Sequence, residues 1–363
     1  MSTEINESPK KGKLVQTGAA KAALIREFGG PEIFRYEDIE RPEPRAGNVL
    51  VKVLAAGVNR LDHYIRQGEI DPNLSFPHIL GSNAAGEVAE LGEGVEGFSI
   101  GERVIVVPGY PQKKEELDVR PAIAAPSFAL PGLHISGSYA AYMEVPAYAV
   151  VKDETNLRAE EVATLPVALA TSVHSLKGIA HVKDGDRVLI QAGASGSGSM
   201  LIQVAKALGA QVATTVRDDG KGEAVRKLGA DLVINTRKED FVERVKQWTN
   251  SLGADVVVDN LAGDVLQKSI DAVKPGGVVV AFGFASGPEV RFDIRNLFFA
   301  QKQIRGSMAS DIEDLRFGLE LVRQGKVSPV LDRALPLSQA AEAHRLVAEN
   351  RVTGNVVLLP WAE

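Results

Sequence analysis

The chain has 363 residues, 45% of them apolar and 24% charged, with a formal net charge of -6 and not one cysteine. That length exceeds one ordinary core and suits two domains sharing a cleft, and the composition is that of a globular chain. The missing cysteines exclude disulfides, thiolate zinc sites and cysteine nucleophiles and fit a reducing cytoplasm, while the acidic balance argues against nucleic acid as a partner.

Residues 1–18 are polar and charged and read as a mobile tail, with neither signal peptide nor anchor. No later run reaches the ~18 apolar residues of a membrane span. From Ala22 to Val107, short β-branched runs (Val49–Val53, Ala85–Ala89, Arg103–Val107) alternate with Gly and Pro turns, which predicts a compact β domain. Pro108–Gly137 is Pro-rich and reads as a surface excursion that shapes a pocket mouth. Strand text resumes at Tyr139–Val145.

After Val151 strands and helices alternate. Arg187–Gln191 reads as a strand, followed by a Gly/Ser turn and a helix through Leu208. Strands at Gln211–Val216, Leu232–Ile234, Asp255–Asp259 and Val278–Phe282 are separated by helices, among them Phe241–Trp248 and Val265–Val273. Such βαβαβ text predicts a parallel sheet covered on both faces. From about Gly306 the alternation weakens, and Gly354–Leu359 is a single last strand. The expected organisation is a tail (1–18), a β-rich substrate domain (19–150), a Rossmann nucleotide domain (151–305) and a return to the first domain (306–363).

The turn Gly193-Ala194-Ser195-Gly196-Ser197-Gly198-Ser199 follows a strand and opens a helix. Small residues there let backbone N–H groups point at a pyrophosphate, which the helix dipole also favours. Aligned on Gly193, the second and third fingerprint glycines fall on Ser195 and Ser199, and Ser195 to Gly198 are expected to face the phosphates. The next strand ends at Val216, where NAD binders carry an acid for the ribose 2′-OH, and Arg217 follows. A guanidinium grips a 2′-phosphate through paired hydrogen bonds, so NADP(H) is the expected cofactor. The alternatives are a merely solvated Arg217, and a preference shifted towards NAD by Asp218 and Asp219.

These residues resemble the medium-chain dehydrogenase/reductase superfamily and, within it, the zeta-crystallin-type quinone oxidoreductases, from about Ala22 to Leu359. Gly57–Gly68 resembles that family's substrate-cleft loop, Gly81–Val88 with Gly101–Val104 its first-domain signature, Leu165–Ser172 the helix that meets the nicotinamide, and Gln191–Ala210 the cofactor turn. The resemblance implies an α/β fold with a GroES-like β domain built from both chain ends, an inserted Rossmann domain, and a homodimer or tetramer with paired Rossmann sheets. It implies that the positions used by catalytic zinc in relatives are Asn59, Ser82 and Val167 here, a set unsuited to zinc. The six histidines show no ligand-like spacing.

Hydride transfer without a metal suits acceptors that already draw electrons, such as quinones and α,β-unsaturated carbonyls, whose oxygen needs only hydrogen-bond donors. From the cleft loop Asn59 and Tyr64 are the candidate donors, against a backbone-capping amide and a packed aromatic. Asp62 completes the candidate catalytic set, against a part in fixing the loop. Thr171 is expected on the nicotinamide side, against an ordinary helix-interior hydroxyl. Phe282 and Gly283, ending a strand, are expected at the nicotinamide amide, against a plain turn. A family tyrosine two residues beyond the loop's closing glycine is replaced by Ile70. The family's Gly-Lys before the last strand reads Gly354-Asn355, which sets Asn355 rather than a cation beside the cofactor. The rival readings are an enoyl-thioester reductase and a non-catalytic nucleotide-binding scaffold.

Overall fold

The computed structural model describes residues 19–362, and the expected mobile tail at 1–18 lies outside them. The described residues open with β1 (Ala20–Ile25) and reach β2 (Asn48–Val58), the central strand of the first domain. β3 (Asn83–Leu91), β4 (Arg103–Val106), β5 (Tyr142–Pro146) and β6 (Val150–Lys152) follow. β2 is flanked by antiparallel partners and buried along most of its length, which is what its near-continuous apolar text requires.

Between β2 and β3 the expected loop is a helix, α1 (Arg60–Gln67). Asn59 is its extended N-cap, Asp62 closes the first turn by accepting the Asn59 backbone N–H at 2.8 Å, and Gly68 ends it at φ 79°. The Asn-x-x-Asp spacing and the closing glycine were the available signals. The helix places Asn59, its cap, and Tyr64, five residues on, along the wall of a cleft.

The second domain begins with α2 (Pro166–Val173), then β7 (Arg187–Ile190), α3 (Gly196–Ala207), β8 (Gln211–Val216), α4 (Asp219–Lys227), β9 (Leu232–Asn235), α5 (Phe241–Trp248), β10 (Ala254–Asp259), α6 (Val265–Ala272), β11 (Val273–Ala281) and β12 (Gln303–Gly306). The sheet order is β9-β8-β7-β10-β11-β12, all parallel. Alternate strand residues face opposite layers. Val188, Ile190, Val256 and Val258 pack with α2 and α3, while Leu189 and Val257 pack with Phe241, Val245 and Ile270 on the other face.

The return to the first domain differs from the expected residue 306. Helix α7 (Ile312–Arg323) packs on the Rossmann layer, where a Cβ on Gly318 would stand 2.5 Å from Leu169 Cγ, and Leu315 and Leu319 join the α2–α3 core. The chain rejoins the first sheet only at β13 (Leu331–Pro336), and after α8 (Ala340–Ala348) it ends on β14 (Asn355–Leu359), giving the order β6-β4-β3-β2-β14-β13 with β5 also on β2. The reason is local: α7 carries an apolar stripe at helical spacing, and the nearest apolar surface is the Rossmann face. The Pro108–Gly137 excursion holds two short paired strands, Tyr110–Pro111 and Phe128–Ala129, and Asp311 before α7 accepts the Ala122 N–H at 2.7 Å. Among the described residues, no helix is long and apolar enough to cross a membrane.

Candidate active site

A cleft of about 980 Å³ runs between the two domains, along the carboxyl ends of β7, β8, β10 and β11. Ligands of open α/β sheets sit there because the strand order reverses between β7 and β10 and leaves a crevice.

The Gly/Ser turn divides its labour differently from the expected alignment. A Cβ on Gly193 would lie 2.1 Å from Thr214 Oγ1, and one on Gly198 would lie 2.3 Å from Ala192 O, so both glycines serve packing and do not line the cleft. Ser195, Gly196 and Ser197 do line it. The Ser195 hydroxyl is used inside the turn, accepting the Gly198 N–H at 3.1 Å and donating to Ala192 O at 2.8 Å. The close-approach glycine is Gly196, not Ser195: a Cβ there would come within 2.3 Å of Asn355 Oδ1. The Asn355 amide nitrogen is buried and finds no partner among the described residues. A helix of 12 residues opens at this point. Its free N–H groups, the bare Gly196 and the unsatisfied Asn355 donor suit a pyrophosphate.

At the end of β8, Arg217 is exposed on the cleft wall. Of the two nearby acids, Asp218 lines the cleft as well, but both carry local hydrogen bonds. Asp218 caps α4 by accepting the Gly220 N–H at 2.8 Å, and Asp219, off the cleft, accepts from Asn235 at 2.6 Å and pairs with Lys238. Sequence reasoning missed further cations on the cleft: Lys221, Arg237 and Lys268, and Arg60 beside Asn59. Lys221 donates to Asn350 O at 2.9 Å and Val352 O at 2.7 Å, and burial lowers its pKa. Lys221 and Arg237 were findable. Lys221 is one helical turn beyond Arg217, and the parallel register Val216↔Asn235 sets the ends of β8 and β9 side by side.

At the other end, Thr171, Phe282 and Gly283 line the cleft. A Cβ on Gly283 would stand 2.7 Å from Asn260 O, so only a glycine lets this backbone pass. Asn59 lines the same region with its amide nitrogen buried and unpartnered among the described residues. Tyr64 also lines it and stacks on Phe284 with ring centroids 4.2 Å apart, and burial raises its pKa so that the phenol stays protonated.

Asp62 is a correction. It is fully buried, does not line the cleft, and accepts hydrogen bonds from Asn59 N–H and Tyr139 OH (3.0 Å). Its place at the third helical position turns the carboxylate back into the fold, where it fixes the first turn of α1. Asn59, Ser82 and Val167 converge on the cleft as the resemblance implied, but Val167 offers no ligand atom and the Ser82 hydroxyl donates to Pro131 O at 3.0 Å. Ile70 stands on the cleft at the place where the resemblance implies a tyrosine.

Residues 45–155 match the alcohol dehydrogenase GroES-like domain and residues 196–324 the zinc-binding dehydrogenase family. A 2-haloacrylate reductase of Burkholderia sp. is 33% identical, over 94% of this chain and 99% of its own length. A quinone oxidoreductase of Pseudomonas aeruginosa is 30% identical, over 94% of this chain and 100% of its own. Among solved structures, an NAD-dependent alcohol dehydrogenase matches with a TM-score of 0.90 at 35% identity, covering 93% of this chain and 99% of that one. A crotonyl-CoA carboxylase/reductase in complex with NADP matches with a TM-score of 0.85 at 26% identity, covering 97% of each chain. With the two-domain fold and its interdomain cleft, these matches show that the chain belongs to the medium-chain dehydrogenase/reductase superfamily and resembles its quinone oxidoreductases.

Proposed function

We propose that the protein is a zinc-independent, NADPH-dependent reductase of quinones or α,β-unsaturated carbonyls. The observation that carries this reading is the acceptor end of the cleft. There an apolar wall of Ile70, Leu130, Leu133, Val167 and Met308 adjoins an unsatisfied amide donor on Asn59 and a protonated phenol on Tyr64. When bound, NADPH supplies the hydride. The chain's own residues orient and polarise the acceptor. Asn59 and Tyr64 donate to its oxygen as negative charge gathers, and the apolar wall keeps water out. Arg217, Lys221 and Arg237 favour the 2′-phosphate of NADPH at the far end.

An alcohol would need its proton removed as hydride leaves. An unassisted hydroxyl, whose pKa lies far above neutrality, makes that costly at neutral pH, and the metal that brings the pKa of a bound water to ~7 in other enzymes has no suitable ligand set here. The relatives' names keep an enoyl thioester in view, but Ile70 stands where the resemblance implies a tyrosine acid, and Arg60, the cation beside Asn59, is held by Val347 O and Asn350 Oδ1. The deciding experiment follows NADPH oxidation in the presence of EDTA with soluble quinones, enones and enoyl thioesters. Turnover is expected with a quinone or enone and unaffected by the chelator. Rates with ethanol or a secondary alcohol above those with every quinone and enone would refute the reading, and no turnover of any acceptor would favour a binding scaffold.

The proposal includes a homodimer or tetramer through the Rossmann sheet. β12 is an edge strand, and Phe298 and Phe299 just before it are 54% and 78% exposed. An open edge flanked by apolar side chains is a template for pairing with another chain. Phe299→Glu is expected to shift the mass measured by light scattering towards the monomer. An unchanged mass would place the assembly contact elsewhere.

A further inference from the structure

Beneath the candidate donors lies a run of buried polar groups that the proposed chemistry leaves unexplained. Arg66, Tyr139, His344 and Asp62 are each at most 1% exposed. Arg66 Nε donates to His344 Nδ1 at 3.3 Å. With Nδ1 accepting, the neutral ring carries its proton on Nε2, which donates to the Tyr139 oxygen at 3.2 Å. Tyr139 in turn donates to Asp62 Oδ2 at 3.0 Å, and the same oxygen accepts the Asn59 backbone N–H at 2.8 Å. From Arg66 through His344 and Tyr139 the donors lead towards the buried carboxylate, while the rest of the guanidinium donates to Gly29 O and faces His63 Nδ1 at 2.9 Å. The run joins both ends of α1 to α8, a helix nearly 280 residues later in the chain. Arg60 adds a second tie, donating to Val347 O at 2.9 Å and Asn350 Oδ1 at 2.7 Å.

We propose that Asp62, Tyr139, His344 and Arg66 form a positioning device that holds the first turn of α1, and with it Asn59 and Tyr64, in register with the cofactor cleft. This rests on the reading of Asn59 and Tyr64 as donors to the acceptor. None of the four touches the acceptor, so each acts through α1.

The device is sensitive to protonation at its carboxylate end. Burial pushes the Asp62 pKa up to about 7, against the pull of its hydrogen bonds, and Oδ1 is without a partner among the described residues. The groups facing the run are the Tyr139 phenol, Arg66, His63 and Arg60 on α1, His344 on α8, Glu32 acting on Arg66, and the Gly81 N–H and Ser82 hydroxyl beside Asp62. Burial holds His63 down to about 4 and His344 well below the ordinary histidine range, so neither adds charge near neutrality. When Asp62 takes a proton, Oδ2 becomes a weaker acceptor and the grip on Asn59 N–H loosens. Turnover therefore falls as pH drops through about 7. Stability runs the other way. The folded carboxyl holds its proton more tightly than the unfolded one, so the ionised form carries a stability cost that develops as pH rises from the unfolded value to about 7.

Asp62→Asn is neutral at every pH and close in shape. It is expected to lose turnover at pH 8 while keeping NADPH affinity, and to abolish the acid limb near pH 7. Without cofactor it is expected to unfold at a midpoint equal to or above the wild-type midpoint at pH 8. A merely structural role predicts that turnover and midpoint fall together, and that result overturns the proposal. Tyr139→Phe removes one donor to the carboxylate and is expected to move the acid limb upward by roughly half to one pH unit. An unmoved limb in both variants also overturns it. A wild-type protein that reduces no quinone or enone overturns the functional reading instead. The cofactor-free arm then still decides the carboxylate's part, because an Asp62→Asn midpoint that follows the wild-type pH dependence is fatal to it.

Discussion

Asn59→Ala is expected to lower turnover with a quinone or enone roughly a hundred- to a thousandfold and to leave NADPH affinity unchanged. The magnitude is that of removing one preorganised donor from an oxygen that gains charge in the transition state, about 2.7–4 kcal/mol. A competing account makes Asn59 a helix cap, whose loss costs about 0.5–2 kcal/mol of stability and nothing in the chemical step. The structure favours the first account. The capping box of α1 uses the Asn59 backbone N–H and the oxygen side of its amide, while the side-chain nitrogen, the donor in question, stays unsatisfied on the cleft. Tyr64→Phe separates the two roles of that residue more sharply. Phenylalanine keeps the stack on Phe284 and removes only the hydroxyl, so a fall in turnover at constant thermal stability assigns the hydroxyl to the acceptor. Steady-state rates with two acceptors, together with a cofactor titration, check both variants. Rates equal to wild type in both would keep the reaction class and remove these two residues from it.

Arg217→Ala is expected to weaken NADPH binding roughly ten- to a hundredfold and to change NADH binding little. A charge-assisted hydrogen bond contributes about 1.5–3 kcal/mol. A bare charge at the edge of the cleft, acting through water at ~4 Å, supplies only about 1 kcal/mol, or roughly fivefold. The measured ratio therefore tells direct contact from distant field. Lys221→Ala should act in the same direction. Its ammonium is partly desolvated and rests on two backbone carbonyls, from which a 2′-phosphate would draw it. Titration of both cofactors against both variants is the check, and equal losses for NADPH and NADH would show that neither side chain reads the phosphate. Asp218 and Asp219 should matter little, since one caps α4 and the other is held by Asn235 and Lys238.

What the sequence determined by itself is local. The Val-rich runs of β7, β8 and β10, the helix at Phe241–Trp248 and the Gly/Ser turn follow from periodicity and from residues that only such a turn accepts. Arg217 was visible because one strand end, at a fixed distance from the turn, reports on the ribose. The helix α1 was partly legible, since an Asn-x-x-Asp cap and a closing glycine enclose it. The rest depended on contacts between distant segments. Nothing local shows that Gly196 rather than Ser195 is the bare position, because the atom that would collide there belongs to Asn355, on the last strand. Nothing local sends α7 to the Rossmann layer, turns Asp62 away from the cleft, or supplies its partners Tyr139 and His344. A carboxylate three residues after a helix cap has the same text whether it faces solvent, a substrate or another helix. Burial and the direction of its hydrogen bonds decide its role, and both are set by whichever far segment packs against it.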